Sequence, residues 1–202
     1  MGKVLNEISI RSKIINASKQ KQYAGLASSA ANTRLVFAKQ SFFRNFDNNE
    51  ITRELLQDPT VDGSSLVSHG NLVSFLGLPN GESDIAQLKL FLDENISMEN
   101  KPKISTDKNR IYYEFPVNIP TNKEIHESFP TPDNWSSRSW IDIIERGIGN
   151  AAYYIFRAAG LPNSRSGTGL QRTDRAPRKK GGSFSPKKWI SELLNDFRKK
   201  FQ

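Results

Sequence analysis

Cysteine is absent from the 202 residues, which excludes disulfides, thiolate metal sites and a cysteine nucleophile. Histidine is nearly absent. His69 and His126 are the two in the chain, and with no second ligand at metal spacing both read as loop histidines. Long apolar runs are missing too. The longest, Ala151–Phe156, has six residues, against the roughly 20 that a membrane-spanning helix needs. The first 21 residues lack the continuous apolar middle of a signal peptide. No membrane partner is expected.

Catalytic patterns fail one by one. Gly147-Ile148-Gly149 and Gly167-Thr168-Gly169 follow no strand and lack a third glycine, and there is no Gly-Lys-Ser/Thr triplet to hold a phosphate. No serine sits in a strained nucleophile turn. Pro132-Asp133 has no Asp/Glu-x-Lys on a following strand to complete a nuclease acid pair. Glu50, Glu54, Asp58 and Asp62 lie four apart, but Pro59 and Gly63 interrupt any helix that would align them, so they read as a solvated face. The expectation is a non-enzymatic protein with no cofactor and no metal.

What the chain does have is aromatic bulk and an uneven charge. Hydrophobic residues make up only 36%, yet 12 Phe, 5 Tyr and 3 Trp supply a core. The length fits one domain with extensions or two small ones. Residues 1–46 carry eight basic groups against one acid, a net +7. Residues 47–156 carry nine against 17, a net −8, and residues 157–202 carry twelve against three, a net +9. Such a chain can lay its basic ends on its own acidic middle, on the middle of a neighbouring copy, or on phosphates.

Apolar residues recur at three- and four-residue steps from position 8 to about 46 (Ile10, Ile14, Ala17, Leu26, Ala30, Phe37), which predicts one long helix. Gly25 is its weak point, so it either breaks there or projects onto a partner. Its end carries Phe42, Phe43 and Phe46. Asp47-Asn48-Asn49 stops it and caps a short helix over Glu50–Leu56. Leu72–Leu78 reads as a strand or a buried turn. Ser83 reads as the cap of a helix over Asp84–Asn95 with Ile85, Leu88, Phe91 and Leu92 on one face.

Lys103–Ser105 and Arg110–Ile119 read as strands, with Ile111, Tyr113, Phe115, Val117 and Ile119 facing a core and Pro116 forcing an edge or a kink. Residues 120–138 read as a long connection anchored by Phe129 and Trp135. Ser139 begins a helix over Trp140–Ala159, with a bend or close contact at Gly147 and Gly149. Residues 160–184 are too poor in apolar side chains to order themselves. They carry the basic arm Arg165, Arg172, Arg175, Arg178, Lys179 and Lys180, with no aromatic between them to stack on bases.

A last helix is expected over Ser185–Phe201, with Ser185 as its cap and Pro186 at its first position. Its stripe of Trp189, Ile190, Leu193, Leu194, Phe197 and Phe201 is able to dock on a neighbour or on its own chain.

Four stretches carry a resemblance: Asn49–Thr52, Gly70–Gly77, Ser137–Ile148 and Ser164–Gln171. Together they resemble minor virion structural proteins of tailed bacteriophages, in the neck, connector and tail-completion group. The resemblance implies an α+β subunit, a long helix beside a small sheet, working in a ring at the head–tail junction or in the tail. It also implies arms that clasp neighbours, which agrees with the charge layout. The long basic C-terminal arm departs from that pattern.

The expected fold is therefore α+β: a long N-terminal helix and further helices packed on a small, mainly antiparallel sheet, with an extended basic C-terminal arm ending in an amphipathic helix. Its parts are a body over 1–159, a basic linker over 160–184 and a docking helix over 185–202. Docking is expected from Trp189, Ile190, Leu193, Phe197, Phe201, Phe42, Phe43 and Phe46. The expected partners are copies of the chain in a ring and other virion proteins, in the virion. Non-specific DNA contact through the basic arm is the alternative.

Overall fold

The computed structural model describes residues 7–58, 66, 71–107, 110–132, 137–147 and 186–201. Helix α1 runs unbroken over Glu7–Asn48, 42 residues, or about 63 Å at 1.5 Å per residue. Gly25 does not break it. A Cβ added there would meet nothing within 4 Å, so no packing contact demands the glycine. Leu35, Ala38, Phe42 and Phe46 are buried at three- and four-residue steps along one face. Leu26 and Phe37 lie on the opposite face, and each is 64% exposed.

The chain forms two compact units. One comprises residues 1–39 and 96–118, the other residues 40–95 and 119–202. In the second, helix α2 (Glu50–Leu55) begins where Asn49 Oδ1 accepts the Ile51 N–H at 2.9 Å. Helix α3 covers Leu72–Leu76, where a strand or turn was expected. Gly77 takes φ 72° and the Leu78 N–H donates to Val73 O at 3.1 Å. That six-to-one bond closes a short helix with a glycine that tolerates the left-handed region.

Helix α4 covers Gly81–Asn95 and starts earlier than Ser83 predicts. The cap is Asn80, whose Oδ1 accepts the Ser83 N–H at 3.2 Å. Ile85, Leu88 and Leu92 face inward. Helix α5 (Asn122–Ser128) occupies what read as a connection. Thr121 and Glu124 form a reciprocal capping box at its start, and His126 stands on this helix rather than in a loop.

Helix α6 covers Trp140–Arg146, capped by Ser139 as expected. It does not continue toward Ala159, because Gly147 leaves the helix with φ 72°. The expectations for residues 148–159, for Trp135 and for the 160–184 linker lie outside the described residues. Helix α7 (Ile190–Lys199) completes this unit. Its N-cap is Trp189, four residues after the expected start, and Ser185 lies outside the described residues.

The first unit holds two antiparallel ladders. Strand β1 (Ser97–Met98) pairs with β4 (Val117–Asn118), and β2 (Lys103–Asp107) with β3 (Arg110–Glu114). The expected strand Arg110–Ile119 is thus two strands, parted at Phe115-Pro116, where proline removes a ladder donor. The expected inward face is also corrected. Ile111 is exposed, and Tyr113, Phe115, Val117 and Ile119 are only half-buried. A two-strand ladder five residues long offers too little surface to build a core layer.

The α+β class holds and the pairing is antiparallel. Helices α2–α7, however, pack with one another in the second unit, while all four strands belong to the first.

Gly81 marks where α4 meets the end of α2. A Cβ there would overlap the Leu55 carbonyl oxygen and crowd Val73 Cγ2 at 3.1 Å. Alanine is the better helix former by up to about 1 kcal/mol, but overpacking costs about 1–3 kcal/mol. Gly81→Ala is therefore expected to lower the urea midpoint of the full chain. An unchanged or raised midpoint would contradict the close approach.

Asp84, in the first turn of α4, has a buried Oδ2 without a hydrogen-bond partner. Burial raises its carboxyl above the ordinary 3.8. The native state therefore disfavours the ionised form, and this group lowers stability at pH values above its native pKa. Asp84→Asn is expected to raise the melting temperature at neutral pH. The gain should vanish once the pH falls below 3.8, where both states protonate the aspartate. Parallel melts of the two chains at neutral and acid pH check this.

Candidate functional site

The eight expected docking residues fall in one place. Trp189, Ile190, Phe197, Phe42 and Phe46 are all at most 3% exposed, and Leu193, Phe201 and Phe43 are half-buried. The stripe of α7 is seated on the aromatic end of α1 within the same chain. Phe42 meets Phe197 edge-on at 5.6 Å, and Phe46 stacks on Trp189 at 5.7 Å between ring centroids. From Trp189 the ring contacts continue to Trp140 at 5.9 Å, to Phe129 at 6.3 Å and to Phe91 at 5.4 Å. Aromatic pairs of this kind add about 0.5–1.5 kcal/mol each beyond their area.

Polar groups fix the register of that seat. The Trp189 indole N–H donates to Thr52 Oγ1 at 3.1 Å, and both residues are buried. The Glu145 carboxylate accepts the backbone N–H of Ser191 at 2.7 Å and of Trp189 at 3.4 Å. A buried carboxylate from α6 thereby caps α7 at the positive end of its dipole. The Lys187 N–H donates to Ile144 O at 3.1 Å, so residues 186–189 follow the end of α6 instead of winding into the helix. At the far end, Lys200 Nζ reaches Ser41 Oγ at 2.8 Å and Arg198 reaches the Pro120 carbonyl at 3.3 Å.

A second polar cluster surrounds Asp142 on α6. Arg146 Nε lies 2.7 Å from its carboxylate, Arg138 pairs with it as well, and His126 Nδ1 is 3.8 Å away. Arg138 also donates to the carbonyls of Asp142 and Gly147, binding the last turn of the helix. The two guanidinium groups neutralise one buried carboxylate and hold α6 in place. Among the described residues, no three His, Cys, Asp or Glu side chains converge to hold a metal.

The acidic run read as a solvated face is divided. Glu50 is exposed and pairs with Lys187 at 3.2 Å, whereas Glu54 is buried. The basic arm residues Arg165, Arg172, Arg175, Arg178, Lys179 and Lys180 lie outside the described residues.

Sequence reasoning missed Glu145 and Thr52. Neither has a local signal, since both act on a segment 44 or more positions away. It also missed α5, although Thr121-x-x-Glu124 spells a capping box.

No family model, curated protein or solved structure matches the chain. No helix among the described residues is long and apolar enough to cross a membrane.

Removing Glu145 would leave one buried and one part-buried N–H group uncapped. Glu145→Ala is expected to cost about 0.5–2 kcal/mol, and Glu145→Gln less, because an acceptor oxygen remains. Trp189→Ala is expected to cost about 3–5 kcal/mol. Urea unfolding of the three variants gives the order. A silent Trp189→Ala would show that α7 does not occupy this seat.

Proposed function

We propose that this chain is a non-enzymatic virion structural subunit that assembles with copies of itself. In this reading it forms a ring at the head–tail junction or tail of a tailed phage, as a neck or tail-completion protein held by exchange of arms between subunits. The observation that carries the assembly role is where apolar surface is left uncovered. The second unit buries twenty apolar side chains, whereas the first buries only Leu35, Ala38 and Ile96 among the described residues. The first unit exposes Tyr23, Leu26, Val36, Phe37, Ile104, Ile111 and Tyr112. Exposed apolar surface concentrated in one region marks an interaction surface.

The occupant we assign is a second copy. The segment Gln22–Thr33 has no charged residue in twelve positions, while basic groups flank it. The acidic middle of the same chain supplies the complementary sign, and such contacts between unlike surfaces close into rings when the rotation allows. The virion station rests on the resemblance of Asn49–Thr52, Gly70–Gly77, Ser137–Ile148 and Ser164–Gln171.

The DNA-contact reading draws on the net +9 of residues 157–202. It predicts binding that weakens steeply with salt.

Sedimentation of the full chain tests the assembly role. Oligomers are expected, and Leu26→Glu with Phe37→Glu should reduce their size. The melting temperature should be unchanged, since both positions are exposed. A wild-type chain that stays monomeric at all concentrations, yet shifts DNA at physiological salt, would favour the alternative.

A further inference from the structure

Strand β2 is an edge. Its Lys103, Ile104 and Ser105 are all exposed, and among the described residues only β3 lies beside it. A two-strand ladder is marginal by itself in water. A straight edge with neither proline nor bulge is a template for another strand, and β2 has no proline over Lys103–Asp107.

We propose that β2 adds antiparallel to β2 of a second copy of this chain, about a two-fold axis through Ser105. The result is a four-stranded sheet of order β3-β2-β2-β3. The proposal rests on the assembly reading only in taking the partner to be a second copy.

The strand reads Lys-Ile-Ser-Thr-Asp from 103 to 107. Reversed against itself about position 105, it places Lys opposite Asp at both ends, Ile opposite Thr, and Ser opposite Ser. Within Lys103–Asp107, moving the axis by one residue in either direction loses both opposite-charge pairs. The internal register extends this match, because it sets Lys103 against Glu114 and Asp107 against Arg110. Across the four strands one row then runs Glu114, Lys103, Asp107, Arg110, with the sign alternating at every step. Opposite charges and β-branched neighbours across strands each contribute favourably.

The other face of the sheet carries positions 104, 106, 111 and 113, all from Ile, Thr and Tyr. In the single chain Ile104 is 52% exposed and Ile111 41%. Doubling the sheet sets these positions side by side and removes one open edge from each copy. The contact is isologous, so it joins copies in pairs and is separate from any exchange of α7.

Because the chain has no cysteine, a single introduced thiol reports on this axis in the full chain. Directly opposed residues have Cα atoms about 4.5–5.5 Å apart, within disulfide range. Position 103 lies about 14 Å from its own symmetry mate at ~3.4 Å per residue. Mild oxidation should cross-link Ser105→Cys into dimers and leave Lys103→Cys uncross-linked.

A charge exchange removes the ambiguity of a damaged hairpin. Lys103→Glu alone and Asp107→Lys alone should each lose the dimer, since each sets like charges opposite one another. An equimolar mixture of the two should recover a heterodimer, because both charge pairs between the two β2 strands are then opposite in sign, while the like pair that each variant sets inside its own hairpin is unchanged by mixing. A merely unfolded hairpin gains nothing from mixing. If the chain self-associates but Ser105→Cys cross-links no faster than Lys103→Cys, the edge contact is wrong and the assembly role stands. If the chain is monomeric throughout, both fall.

Discussion

The side chain of Trp189 joins three other helices to the start of α7. Its ring stacks on Phe46 from α1 and leans on Trp140 from α6, while its N–H is satisfied by Thr52 on α2. Four helices therefore meet at one indole. A buried tryptophan N–H needs an acceptor, and the buried Thr52 provides one. Glu145 then determines where α7 begins, by taking up the backbone donors that Trp189 and Ser191 would otherwise leave unpaired. The apolar contact and the cap are complementary: the first holds the helix, the second sets its register.

The elements legible in the sequence were those whose determinants are local. The three- and four-residue steps of α1, the Asn49 cap of α2 and the Ser139 cap of α6 each act within a turn of where they stand. Misreadings followed non-local or competing determinants. Residues 186–189 look like the first turn of a helix, with proline in its favoured place, yet Lys187 bonds to Ile144 and Glu145 takes the donors after it. Leu72–Leu78 has the apolar run of a strand, but Gly77 supplies the left-handed turn that ends a helix. Alternation over Arg110–Ile119 promised an inward-facing Ile111, but that side chain is 41% exposed. Of the candidate site, the apolar members were visible as a stripe, and the polar members that orient them were not.

The two units make different use of the hydrophobic effect. The second encloses its large side chains: Trp189, Phe46 and Phe197 are nearly inaccessible. The first leaves Leu26 and Phe37 mostly in water. At about 25 cal/mol per Å², covering such residues stabilises an association by more than exposed ion pairs do, since those contribute about 0–1 kcal/mol each. Division of labour follows from these magnitudes. In the proposed assembly, charge, screened beyond about 8–10 Å in ordinary salt, would select the partner and its orientation, and the apolar residues of the first unit would provide the holding energy.

The seat of α7 adds a constraint on the exchange of arms proposed above. Thirty-eight positions, 148–185, separate Gly147 from Pro186 in the sequence, and at 3.3–3.6 Å per residue they could span at most about 130 Å. That reach exceeds the size of a domain this small. The same stripe can therefore fill the seat of its own chain or that of a neighbour with identical contacts. With contact energies equal, the choice depends on closure entropy, which favours the intramolecular seat for a dilute chain and changes by only about 0.6 kcal/mol for each doubling of the connection. Local concentration decides between them. If copies are held side by side by the apolar surface of the first unit, as proposed, the effective concentration of neighbouring seats rises, and exchange becomes competitive without any new contact.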